Sequence, residues 1–102
     1  MIIVQGVFRI APEDRERYLA DSLETQRISR GERGCIEYVF AADPLEADRV
    51  VLSERWETRA DLDAHLEALA ARRASAGENA TGPVSVLARD VSLFEASEVE
   101  GP

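Results

Sequence analysis

The sequence predicts an α+β domain of ferredoxin-like topology, βαββαβ, in which a four-stranded antiparallel sheet carries two helices on one face. Two observations lead there. Runs rich in branched and aromatic residues and stretches of helical periodicity follow one another as strand, helix, strand, strand, helix, strand. The two central strands are separated by a short Asp43-Pro44 turn region, which makes them a hairpin. The length of 102 residues suits one domain, placed at residues 1–95, with an acidic and frayed tail at 96–102.

The first strand runs from Ile2 to Ile10, with Gly6 as its only breaker, and Ala11-Pro12 closes it. Pro12, Glu13 and Asp14 start a helix, because proline fits the first turn and acids there meet the positive end of the helix dipole. Tyr18, Leu19, Leu23 and Ile28 supply its apolar stripe as far as Ser29-Arg30-Gly31. The second strand, Cys35 to Ala41, sets Ile36, Tyr38 and Phe40 on one face against Cys35, Glu37 and Val39 on the other. In the third, Arg49 to Glu57, Val50, Leu52, Glu54 and Trp56 share a side. Thr58 or Asp61 caps the second helix, whose stripe is Leu62, His65, Leu66 and Leu69 and whose end falls near Arg73. Ala74 to Pro83 reads as a loop able to move, and Val84 to Phe94 as the last strand, with a bulge or bend at Arg89-Asp90.

Both faces of the second strand are apolar, and the two helices can cover only one side of the sheet. At about 25 cal/mol per Å² of apolar surface, leaving several such side chains wet costs several kcal/mol, comparable with the stability of a small domain. A second copy packed sheet to sheet removes that cost, so a homodimer is expected.

Composition excludes several chemistries. The charge of 12 − 20 = -8 opposes nucleic acid, and no apolar run is long enough for a membrane span. Arginine occurs without any lysine, so a Schiff-base lysine and a P-loop lysine are ruled out. A single cysteine, Cys35, and a single histidine, His65, cannot build a Cys-rich or His-pair metal site, so no bound metal is expected. The free thiol, and an N-terminus without a basic residue ahead of a long apolar stretch, favour the cytoplasm.

Three stretches together carry a resemblance. They are Gly31-Glu32-Arg33-Gly34-Cys35-Ile36-Glu37-Tyr38 with Arg30 before it, Val50 to Trp56 ending in Glu54-x-Trp56, and Asp61-Leu62-Asp63-Ala64-His65-Leu66. In order and spacing they resemble the antibiotic biosynthesis monooxygenase family, over about residues 1 to 95. The resemblance implies a dimeric α+β barrel with a ligand cavity in each subunit, between sheet and helices. It also implies cofactor-independent oxygenation by O₂ of a small aromatic, anthrone or quinol-like compound.

Such chemistry needs a dry slot, a proton acceptor and a donor near the developing oxyanion. Trp56 is a candidate wall with a donor N–H, or else an ordinary core tryptophan. His65 is a candidate general base, or else a packed, hydrogen-bonded core residue. Glu54 shares a face with Trp56 and either borders the cavity or pairs with an arginine. Tyr38 belongs to the core or dimer interface, or lines the pocket. Arg89 offers a cation to an oxyanion, or pairs with Asp90 or Glu54. Cys35 reads as a small buried hydrophobe.

The haem-degrading members carry an amide, a tryptophan and a histidine at positions that fall here on Gly6, His65 and Ser75, so haem degradation is disfavoured. Members acting on polyketide aromatics carry polar partners at positions that fall on Leu52 and Leu62, which makes this pocket more apolar than theirs. Two other readings follow: a non-catalytic dimeric small-molecule-binding domain, and an isomerase or lyase of the same fold using His65.

Overall fold

The computed structural model describes residues 1–76 and 84–101. Strand β1 (Ile2–Arg9) leads through a short 3-10 turn at Pro12–Asp14 into helix α1 (Arg15–Arg30). The hairpin β2 (Cys35–Ala42) and β3 (Arg49–Trp56) follows, then α2 (Arg59–Ala76) and β4 (Ala88–Glu95). The sheet order is β2-β3-β1-β4 with every neighbouring pair antiparallel, which is the expected ferredoxin-like arrangement. Among the described residues no helix is long and apolar enough to cross a membrane.

Strict alternation on the two central strands places the core. Ile2, Val4 and Phe8 of β1 and Val50, Leu52 and Trp56 of β3 are buried beneath the helices, and Glu54 is buried with them. Asp43 closes the hairpin connection by accepting the N–H groups of Leu45 and Glu46 at 2.7 and 2.9 Å. Arg30 ties the end of α1 to β2 by donating from Nε to the carbonyl of Tyr38 at 2.8 Å. Thr58 caps α2, its hydroxyl accepting the Asp61 N–H at 3.1 Å.

Four details differ from the expectation. The face assignment at the start of β2 is reversed: Cys35 pairs with Trp56 and Glu37 with Arg55, so Ile36 is the extra residue of a β-bulge. Cys35 therefore packs against the core, while Ile36 is 46% exposed. On α1, Tyr18 and Leu19 pack against the core as expected, but Leu23 and Ile28 face outward and the fully buried positions are Gln26 and Ser29, because the stripe that meets the sheet runs on from Leu19 through those two polar residues. Helix α2 continues three residues past Arg73 to Ala76, through alanines that favour helix; the rest of the predicted loop lies outside the described residues. Strand β4 begins only at Ala88, which pairs with Arg9, the last residue of β1. Of the residues before it only Leu87 reaches β1, donating its N–H to the Arg9 carbonyl at 2.8 Å, and the register is continuous through Arg89 and Asp90, without the expected bulge.

Gly34, just before β2, has a φ of 78°, a left-handed conformation that disfavours side chains, and a Cβ there would fall on the Asp61 carboxylate at the start of α2. Replacing Gly34 by Ala should lower stability by about 2 kcal/mol, through backbone strain and displacement of Asp61. Urea unfolding of the two proteins measures it.

Candidate functional site

Helix α2 stands off the sheet along part of its length and leaves a cavity of about 580 Å³. That is within the range of roughly 300–1,000 Å³ usual for small-molecule sites. This gap explains why Leu66, on the apolar stripe of α2, and Leu93, on the helix side of β4, are 46% and 45% exposed: both border the cavity instead of filling it. Its aromatic side is a cluster of Phe8, Tyr18 and Phe40, whose ring centroids lie 5.6 to 6.5 Å apart.

A buried polar group forms one side of this cavity. Glu54, on β3, is 5% exposed and lines the cavity together with His65, on α2, which is 2% exposed. The indole N–H of Trp56 donates to Glu54 Oε1 at 2.9 Å. His65 Nδ1 lies 2.7 Å from Glu32 Oε1 in the turn before β2, and its Nε2 faces Glu54 Oε1 at 3.9 Å. The imidazole packs on the Trp56 ring at 4.7 Å between centroids and meets Tyr38 edge-on at 5.3 Å. Its position is thereby fixed from several directions.

Burial pushes the Glu54 carboxyl above its ordinary 4.5; the Trp56 hydrogen bond and the attraction of His65 oppose that rise, and Glu32 adds to it. Burial, and then the charge of Glu54, hold the Tyr38 phenol far above its usual value, so it remains a neutral hydrogen-bonding group. A carboxyl raised toward neutrality beside a histidine, at the edge of a mostly apolar cavity, is suited to exchanging protons with a bound hydroxyl.

The structure brings together Tyr38, Leu52, Glu54, Leu62, His65 and Arg89, all of which line the cavity. Trp56 does not: it is fully buried behind Glu54, and its donor is already committed to that carboxylate, so it supports the polar group without forming the wall. The partner of Glu54 is this indole and not an arginine. Arg89 does not pair with Asp90, which sits on the opposite sheet face; its guanidinium carbon lies 5.6 Å from the centroid of Phe8. Sequence reasoning missed Glu32, Tyr18 and Arg73. Glu32 lies 33 residues from His65, and no local pattern signals that contact.

A sheet of this topology roofed by two helices, with an acid–imidazole–acid array beside an aromatic cavity, defines a ferredoxin-like α+β domain with a candidate site between sheet and helix. The profile of the antibiotic biosynthesis monooxygenase family matches residues 1–77, and the chain belongs to that family. A protein of Synechocystis sp. is 36% identical over 66 residues, 65% of this chain and 45% of its own length. A heme-degrading monooxygenase of Shouchella clausii is 34% identical over 67 residues, 66% of this chain and 62% of its own length. The chain thus spans less than two thirds of either relative. The crystal structure of an antibiotic biosynthesis monooxygenase superposes with a TM-score of 0.73 at 26% identity, covering 96% of this chain and 100% of that one. SnoaB, a cofactor-independent oxygenase from Streptomyces nogalater, shares the fold with a TM-score of 0.65 at 15% identity, covering 96% of this chain and 94% of that one.

The heme-degrading relative makes haem a group to test against these residues, and they do not fit it. His65 Nδ1 is bonded to Glu32, and 3.9 Å from Nε2 stands the Glu54 carboxylate, in the space an axial iron needs. Gly6 is hemmed by Val91, Phe8 and Leu52, and Ser75 is exposed near the end of α2. Among the described residues no three His, Cys, Asp or Glu side chains are grouped to hold a metal ion.

Because Glu54 holds its proton more tightly folded than unfolded, its contribution to stability is complete below 4.5 and is lost as pH rises through the raised value. Glu54→Gln keeps an acceptor for Trp56 but cannot ionise. Its stability relative to the parent should therefore increase from pH 4 to pH 7 in urea titrations; a pH-independent difference would contradict the buried carboxyl.

Proposed function

We propose that the chain is a cofactor-independent monooxygenase that oxidises a small aromatic, anthrone or quinol-like compound with O₂. The observation that carries this reading is the Glu54–His65–Glu32 array set beside an aromatic cavity in a member of this family. The Streptomyces nogalater neighbour supports it, as a cofactor-independent oxygenase built on the same fold.

In this mechanism a substrate hydroxyl or activated CH₂ lies against the aromatic cluster and gives its proton to the Glu54–His65 pair. The resulting anion passes one electron to O₂, and the two radicals combine into a peroxide anion that takes the proton back from the pair as a hydroperoxide. Loss of water then converts CH₂ into C=O, so one oxygen atom enters the product and the other leaves as water. All the electrons come from the substrate. The buried Leu52 and Leu62 keep water from that end of the cavity, and the fixed imidazole receives or relays the proton, with Glu32 at 20% side-chain exposure leading toward solvent.

The apolar lining at Leu52 and Leu62 favours a second reading, a non-catalytic domain that binds a small apolar ligand. The two separate in one experiment, in which metal-stripped protein is incubated with anthrones and hydroquinones while O₂ uptake is recorded. Uptake above the spontaneous rate supports the oxygenase. Ligand-induced thermal protection without uptake or chemical change supports the binding domain, and anaerobic turnover supports an isomerase or lyase.

We further propose that the chain works as a cytoplasmic homodimer joined through the sheet face opposite the helices. Val7, Val51 and the half-exposed Phe94 lie there around a shallow depression, among Gln5, Ser53 and Ser92. Sedimentation should give twice the 11.3 kDa chain mass, and a single-chain mass at micromolar concentration contradicts the dimer.

His65→Ala should reduce turnover by about two to four orders of magnitude if the imidazole handles the proton. His65→Gln, which keeps a polar side chain beside Glu32, should stay folded and be equally slow. Unimpaired O₂ uptake in a folded variant removes His65 from the mechanism.

A further inference from the structure

On a different part of the same cavity lining, two arginines remain that the proton-handling array does not employ. Arg73 comes from the last turns of α2 and Arg89 from β4, elements distant in sequence, yet both line the cavity and both are solvent-exposed. Their charges act on a common point, since each favours ionisation of the Tyr18 phenol, opposing the upward push of its burial. Arg89 sits over the Phe8 ring at 5.6 Å, and Phe8 and Tyr18 are neighbours in the aromatic cluster. In a chain of net charge -8 this is a local cationic site, where general repulsion would otherwise keep anions away.

The cavity is therefore polarised. Glu54 and His65 mark one part of its lining, Arg73 and Arg89 another, and the flat surfaces of Phe8, Tyr18 and Phe40 are available to a planar ring. We propose that Arg73 and Arg89 form an anion subsite, so that the ligand of this cavity is a hydroxylated aromatic acid whose carboxylate binds the two guanidinium groups. Guanidinium forks match carboxylate oxygens geometrically, and two of them at the edge of a partly dewatered slot hold more firmly than one in open solvent. The carboxylate then fixes which end of the ring system enters first and turns its hydroxyl toward Glu54 and His65. The orientation rests on the oxygenase reading; the subsite itself is a statement about binding.

The probes are a dihydroxynaphthoate and its methyl ester, which share the ring and hydroxyl groups and differ in the charge. They are titrated anaerobically into the purified chain, so that binding is read apart from turnover. The acid should bind about tenfold more tightly than the ester, and added salt should erode that preference. Arg73→Gln and Arg89→Gln should each weaken it, the double variant should bring the ratio near one, and Arg→Lys at either position should restore part of it. Near-UV circular dichroism checks that each variant is folded.

Equal affinity for acid and ester, persistence of the preference in the double variant, or failure of both compounds to bind overturns the subsite. Selective binding of the acid with no O₂ uptake in air overturns the oxygenase reading and leaves the subsite standing. Uptake with neutral substrates and no preference for the acid does the reverse.

Discussion

The structure depends on how a carboxylate and an imidazole are kept inside a small α+β domain. Removing Glu54 and His65 from water carries a desolvation cost that each must recover through partners. Trp56 supplies a hydrogen bond to Glu54, and Glu32 supplies one to His65 from the turn between α1 and β2. The rest of the local architecture serves these contacts. The left-handed Gly34 lets the Glu32 turn close against the start of α2, the Thr58 cap fixes where that helix begins, and Arg30 anchors the end of α1 to β2.

The same arrangement accounts for the cavity. A helix that presented only leucines to the sheet could settle directly on it. Here His65 and Tyr38 meet edge to face beside Glu54, and the hollow extends from that polar group toward Arg73 and Arg89. The half-exposed Leu66 and Leu93 are consequences of the gap, and an apolar ligand would cover them.

The topology is legible because period-two alternation on β1 and β3 and helical spacing on α2 are local signals, strong enough to order every element. What alternation does not register is the bulge at Ile36, since one inserted residue inverts the faces before it while leaving composition unchanged. The start of β4 is likewise hidden, being set by the length of its neighbour β1. At the site, Glu54, His65, Leu52 and Leu62 are readable because they sit on faces that the periodicity marks. Trp56 lies in the core behind Glu54, one of the two places its sequence allowed, because sequence does not tell which side of a carboxylate an indole will occupy. Glu32 reaches the site only through tertiary contact with His65, whereas Arg73 extends the Leu62, His65, Leu66 and Leu69 spacing by one turn, where an arginine reads as a helix end and not as a pocket residue.

The bulge in β2 also decides the surroundings of the chain's one cysteine. By turning Cys35 inward beside Trp56, it places the thiol where burial, then Glu54 and Glu32, favour the protonated form, against the weaker opposing effects of Arg30 and the Glu37 carbonyl contact at 3.6 Å. Peroxides attack thiolates far faster than thiols. One inserted residue thus sets which side of the sheet carries the thiol, and with it the direction in which its ionisation is pushed.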